Sequence, residues 1–195
     1  MLSESSMITT AVVTNNRDPD DLGRVKVQYP WSSSTDESYW ARVSTPMAGD
    51  RRGLYFIPEV EDEVIVAFIN GDTQSPIVIG SLWNQSDKPP QDNSSGKNDI
   101  RKIRSRSGHE IIFDDGEGES KLEIVSSAGH RVIFDDSKGS EKITIKDSSG
   151  GSIEMDSITN KLSIKSAMKI SIEATQIDIK ASAELVLQGA LIRIN

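Results

Sequence analysis

Two histidines and two aspartate pairs are the residues whose spacing invites a chemical reading. His109 and His130 stand 21 residues apart in matching surroundings, Gly108-His109-Glu110-Ile111-Ile112-Phe113-Asp114-Asp115 and Gly129-His130-Arg131-Val132-Ile133-Phe134-Asp135-Asp136. In a threefold assembly each histidine would form a ring of three, and three imidazoles can hold a metal ion. A histidine flanking a turn on the outer surface explains the pattern with fewer demands, and is the favoured reading. Asp114/Asp115 and Asp135/Asp136 could bind calcium, and paired carboxylates also suggest glycoside hydrolysis. No cleft-forming helical domain accompanies them, so they read as strand terminators that solvate wide turns. Neither a catalytic residue, a cofactor site nor a metal ligand is assigned.

The elements that position these residues are short strands. From Ile143 to Asn195 apolar pairs recur with one residue between them: Ile143/Ile145, Ile153/Met155, Leu162/Ile164, Ile170/Ile172, Ile177/Ile179, Leu185/Leu187 and Ile192/Ile194. Within a pair both side chains share one strand face, and the residue between them faces away. From Leu162 on, successive pairs start 8, 7, 8 and 7 residues apart, which leaves room only for tight turns. A fixed period marks a stacked architecture. Upstream, from Ile100, the repeat is longer: each unit is two strands and a wide turn such as Asp114–Ser120 or Asp135–Ser140. Aromatic residues stop at Phe134. Lys161, Lys165, Lys169 and Lys180 alternate with apolar residues and are expected on the solvated side.

Residues 7 to about 84 read as a compact all-β unit with strands over Ile8–Thr14, Arg24–Tyr29, Tyr39–Ser44, Val64–Asn70 and Pro76–Trp83. Turn signals separate them, Asn70-Gly71-Asp72 among them as a hairpin turn. Five short strands suit a small OB-type barrel, with a sandwich as the alternative. Residues 86–99, Pro89-Pro90 included, hold nothing that could build a core and read as a linker. The expected organisation is a barrel over 1–85, a linker over 86–99 and a stacked β domain over 100–195.

Charge narrows the function. The chain carries a formal −8, and up to Gln85 it has 6 Lys/Arg against 12 Asp/Glu. That is the wrong sign for the basic groove of a nucleic-acid binder, so no nucleic-acid partner is expected. Apolar residues are 35% and aromatics 5% of 195 residues, enough for thin β layers rather than a thick core. Cysteine is absent. No signal-peptide pattern or bilayer-length apolar run is present, so exit from the cell would need another route than general secretion.

A period of 7 or 8 gives each strand only two inward apolar residues. One solution is a single-chain solenoid of under four coils with open ends. The other is three identical chains wound together, each layer then burying about six apolar residues. Roughly eleven strands at about 4.8 Å per layer would make a rod near 50 Å long. Such winding leaves no lateral strand edge. Periodicity leaves both solutions open and leans to the second.

The barrel also carries a set of motifs. Asp21-Leu22-Gly23-Arg24-Val25-Lys26-Val27-Gln28-Tyr29-Pro30-Trp31 resembles a GRVKV-aromatic-PW signature, and Trp40-Ala41-Arg42-Val43 a WARV segment. Gly53 to Phe68 resembles G-x-x-F-x-P-E-x-x-D-E-V-x-V-x-F, and Pro76 to Asn84 a P-x-x-x-G-x-L-W-N close. Together with the Gly-His repeats these resemble the VgrG and phage baseplate assembly protein V family, the central spikes of contractile injection machines. The resemblance runs from residue 8 to 195 in order and is specific as a joint set.

The resemblance implies an all-β chain: an OB-fold collar followed by an intertwined triple-stranded β-helix, as a homotrimeric needle. It implies a non-enzymatic spike under the tube, driven through a target envelope when the sheath contracts. Its expected partners are a baseplate hub protein at the N-terminal end and a PAAR-repeat tip protein at the C-terminal end. Effector cargo and transient contact with the target membrane are also expected. The implied location is a baseplate assembled in the cytoplasm and delivered to or through the target envelope. VgrG proteins usually carry a hub domain ahead of the barrel, so this is expected to be a separate phage-type spike or a piece of a longer protein. Neither a lysozyme domain nor a His-rich iron-binding tip is recognisable. The expected needle core is Leu162, Ile164, Ile170, Ile172, Ile177, Ile179, Leu185 and Leu187. Leu191, Ile192, Ile194 and Asn195 are expected to form the platform for the tip protein. The alternative is a trimeric fibre or adhesin whose barrel binds a receptor or glycan. The plain ending Ala190-Leu191-Ile192-Arg193-Ile194-Asn195, without an aromatic-bearing tip, favours the spike.

Overall fold

The computed structural model describes residues 8–33 and 35–193. The chain divides into two compact units between Pro89 and Pro90. Both are built of strands, and the fold is all-β.

In the first unit, strand β1 (Ile8–Asn15) pairs antiparallel with β2 (Lys26–Gln28) and with β6 (Glu63–Phe68). Strand β7 (Pro76–Ser81) continues from β6, and β3 (Arg42–Val43) lies parallel to β7. A bridge between Val25 and Ala41, with N–H···O distances of 2.9 and 2.8 Å, joins the two ends of this sheet and closes a barrel. Two extra residues help it curl: Thr14 in β1 and Ile79 in β7 each stand unpaired at a register shift. β6 alternates inward Val64, Val66 and Phe68 with outward residues. Ten apolar residues, among them Val13, Val25, Val27, Ala41 and Val78, fill the interior at 9% exposure or less. Closing the sheet lets every inward side chain meet another inward side chain.

A short hairpin of β4 (Ala48–Gly49) and β5 (Arg52–Gly53) is inserted before β6. It stands apart from the five-stranded sheet. The turn expected at Asn70-Gly71-Asp72 does join β6 to β7, as a 3₁₀ turn over Ile69–Gly71 in which Asn70 and Gly71 have φ of 53° and 75°.

The second unit is one seven-stranded antiparallel meander: β8 (Ile100–Arg104), β9 (Glu110–Asp114), β10 (Lys121–Val125), β11 (Arg131–Asp135), β12 (Lys142–Lys146), β13 (Ser152–Asp156) and β14 (Lys161–Lys165). Each strand has five residues and pairs only with its neighbours in sequence. The short-period stretch differs from the eleven-strand expectation: residues 166–193 contain no strand. The physical reason is available in the spacing. Strands need a lateral partner, and within one chain the residues that follow β14 find none.

Candidate functional site: an unpartnered apolar sheet face

The register of the meander sorts its side chains into two faces. On one face, directly opposed pairs build two continuous ladders. The first runs Phe113, Leu122, Phe134, Ile143, Met155, Leu162. The second runs Ile103, Ile111, Ile124, Val132, Ile145, Ile153, Ile164. The only polar member of this face within these columns is Arg101, opposite Phe113. Cross-strand packing of β-branched and aromatic residues stabilises such ladders. It does not cover them. Ile111 is 37% exposed, Leu162 is 62%, and Ile103, Phe113, Ile124, Phe134, Ile145, Ile153, Met155 and Ile164 lie between. Finishing the burial of side chains this size contributes on the order of 1 kcal/mol each.

The other face is mixed: a middle column of Lys102, Ile112, Glu123, Ile133, Thr144 and Glu154 runs between largely charged outer columns. One column alternates in sign across six strands: Asp114, Lys121, Asp135, Lys142, Asp156, Lys161. Lys121 approaches Asp135 at 3.9 Å, Arg131 reaches Glu123 at 2.7 Å, and Glu110 holds Lys102 at 3.5 Å and Arg104 at 3.3 Å. The Ser137 hydroxyl, ahead of the lysines Lys121 and Lys142, holds the Asp135 carboxyl below its usual range. Thr144 is buried beneath these side chains. Charged residues dominate the outer columns of this face, and Lys161 and Lys165 belong to them.

The aspartates end strands. Asp114 accepts the Gly116 N–H at 3.0 Å and Asp135 the Ser137 N–H at 3.1 Å, while Asp115 pairs with Arg101. Among the described residues no three His, Cys, Asp or Glu side chains are placed to share a metal ion. His109 and His130 flank turns, each exposed, and each accepts a backbone N–H through Nδ1. Of the residues expected as needle core, Leu162 and Ile164 lie on the apolar face of β14. Ile170, Ile172, Ile177, Ile179, Leu185 and Leu187 lie in the strandless stretch and are exposed, as are Leu191 and Ile192. Ile194 and Asn195 lie outside the described residues.

Sequence reasoning missed two features of the barrel. The first is a buried clamp at Asp18. Its carboxylate accepts N–H groups from Asp20, Leu22 and Arg24, each at 3.1 Å, and the Arg24 guanidinium at 2.8 and 2.7 Å. The Arg24 side chain foremost, then backbone N–H groups, hold this carboxyl far below the carboxylate range against the effect of burial. Arg24 and Lys26 in turn lie over the Trp40 ring, 5.8 and 5.5 Å from its centre. The second is an open cavity of about 510 Å³ beside the β4–β5 hairpin, flanked by exposed Met47, Leu54, Tyr55 and Phe56. The Asp-to-Arg spacing of six residues was the available signal for the clamp; the hairpin's Ala48-Gly49-Asp50-Arg51-Arg52-Gly53 has no apolar alternation to announce it.

The closed five-stranded barrel is the OB-type fold that the motifs implied, while the part expected as an intertwined β-helix is, within one chain, an amphipathic meander and a strandless stretch. Residues 9–83 match the family described as the type VI secretion system/phage-baseplate injector OB domain. The barrel is similar to that injector OB domain. Among curated proteins the chain is similar to the type VI secretion system spike protein VgrG3 of Vibrio cholerae El Tor N16961, at 34% identity over 111 residues, 53% of this chain and 11% of that protein. It is similar to spike protein VgrG1a of Pseudomonas aeruginosa PAO1 at 34% over 116 residues, 54% of this chain and 18% of that one. The actin cross-linking toxin VgrG1 of Vibrio cholerae O395 is 32% identical over 111 residues, 53% of this chain and 10% of the toxin. The chain thus spans less than a fifth of the length of these relatives.

Proposed function

We propose that this chain is the spike of a contractile injection machine of the type VI or phage-tail class, acting as a homotrimer and without enzymatic activity. The observation that carries the proposal is the continuous apolar face of the meander, left uncovered in one copy and attached to an injector OB domain. Three copies packing this face inward, with the charged ladder outward, bury it and give a stiff rod. Close-packed Ile, Leu and Val layers have low compressibility, which suits a part that transmits an axial push. The strandless residues 166–193 then complete their pairing between chains as an intertwined β-helix. Their apolar pairs, from Ile170/Ile172 to Leu185/Leu187, become its core, and the last residues from Leu191 on seat a PAAR-repeat tip protein. The OB domain meets the baseplate hub, and effector cargo rides at the tip. The machine assembles in the cytoplasm, and the tip contacts the target membrane only in passage.

The test is location. An antibody against the OB domain should label sheath–tube particles at one end, where the baseplate sits, by electron microscopy. Labelling of free fibres on the cell surface, with unlabelled particles, would instead support an adhesin.

A further inference from the structure

The two histidines do something that their turn-flanking position does not require. Three tight turns lie at the same end of the meander: Ser105–Gly108 between β8 and β9, Ser126–Gly129 between β10 and β11, and Asp147–Gly150 between β12 and β13. The first two are built alike. Ser105 and Ser126 each accept, through Oγ, the N–H of the histidine that follows the turn, at 3.0 and 3.1 Å. Each glycine turns the chain at positive φ, 89° for Gly108 and 86° for Gly129. In the third turn Asp147 stands where the serines stood, and Gly151 where the histidines stood.

Each imidazole then reaches across to the next turn. His109 Nδ1 accepts the Ser127 N–H at 3.2 Å, and His130 Nδ1 accepts the Ser148 N–H at 3.3 Å. Both bonds span 18 residues in sequence. Turn one is tied to turn two and turn two to turn three. The series stops there because Gly151 has no side chain to continue it.

An acceptor at Nδ1 requires the neutral imidazole with its proton on Nε2. An imidazolium has a hydrogen on both nitrogens and accepts nothing. We propose that His109 and His130 form a proton-sensitive latch that ties the three turns together at neutral pH and releases them in acid. Protonation converts each acceptor into a donor facing another donor.

The groups around the latch do not replace the lost bond. Near His109, Arg104 and Glu110 end β8 and β9 as a directly opposed pair, Arg106 lies in the turn, and Val125 ends β10. Glu110 is already engaged with Lys102 and Arg104. Near His130, Arg131 is engaged with Glu123, and Lys146 lies opposite Arg131. Asp147 spends its carboxylate on the N–H groups of Ser149 and Gly151 within its own turn.

Hydrogen exchange at the Ser127 and Ser148 amides tests the latch on the intact protein. Between about pH 8 and about pH 5, corrected for intrinsic exchange, protection at both amides should fall about fivefold, the size of one net hydrogen bond. Asparagine places a carbonyl oxygen where Nδ1 was and does not titrate. His109→Asn should keep Ser127 protected at both pH values while Ser148 still responds, and His130→Asn should do the reverse. His109→Ala should lower Ser127 protection at both. Equal wild-type protection at the two pH values, a pH response that survives the matching asparagine, or full protection in the alanine variant would each overturn the proposal.

Discussion

The barrel and the meander use the same material to opposite ends. Both are mainly antiparallel strands rich in Val and Ile with period-two alternation. In the barrel, the Val25–Ala41 bridge joins the sheet's edges, so Val13, Val27, Val64 and Val66 face one another and are sealed at 1% exposure or less. In the meander, seven five-residue strands form one open layer, and ten of its thirteen ladder residues, from Ile111 at 37% to Leu162 at 62%, remain exposed. A sheet with one apolar face needs a second layer to cover it. The barrel supplies that layer by closure. The meander does not, and the proposal that other copies supply it, as in a trimeric spike, rests on that difference.

The comparison can be broken from the meander side first. Ile145 sits mid-ladder between Val132 and Ile153. Ile145→Asp would bury three carboxylates in one trimer layer, a cost of several kcal/mol per group. Sedimentation should show loss of the trimer, while the OB domain keeps its β-sheet circular dichroism. Ile172→Asp should have the same effect if the strandless stretch completes its pairing between chains. Ending the chain after Lys165 is the next largest change. It removes every short-period pair but keeps both apolar ladders of the meander, so trimers should persist with a lowered dissociation temperature.

On the barrel side the effects are smaller and should leave assembly alone. Asp18→Asn removes the charge that Arg24 and three backbone N–H groups converge on. It should lower the OB domain's melting temperature by several degrees without changing the mass in solution. Acid should act through the same kind of group. Asp18, Asp135, Asp147 and Asp156 all have carboxyls held below their ordinary range, by Arg24, Ser137, Ser149 and the Thr159 N–H first. A depressed folded-state value contributes stability above the ordinary carboxylate pKa and loses it as pH falls through the depressed one. Global melting should therefore change little down to about pH 5 and fall below about pH 4. The smallest effect is expected on the solvated ladder: Lys121→Gln should shift melting by about 1 kcal/mol or less, as exposed ion pairs do.

Much of this was legible in the residues because period two is a strong signal where one face is apolar. The pairs Ile143/Ile145, Ile153/Met155 and Leu162/Ile164 announced both their strands and their shared face. β1 and β6 were legible for the same reason. The expected strand Tyr39–Ser44 shrinks to Arg42–Val43, with Ala41 held only by its bridge to Val25. The strand expected to reach Asn70 stops at Phe68 because Ile69–Gly71 turns. The Asp18 clamp and the histidine bonds were not legible, since each depends on which turns the folded backbone brings side by side. The stretch from Ser166 on showed its period but not its pairing, because within one chain it has no strand beside it.

The claim that other copies cover the meander's apolar face is tested most directly by the mass of the intact protein in solution. Sedimentation velocity at micromolar concentration should give one species of three times 21.3 kDa. A folded monomer at 21.3 kDa with its β-sheet spectrum intact would contradict it.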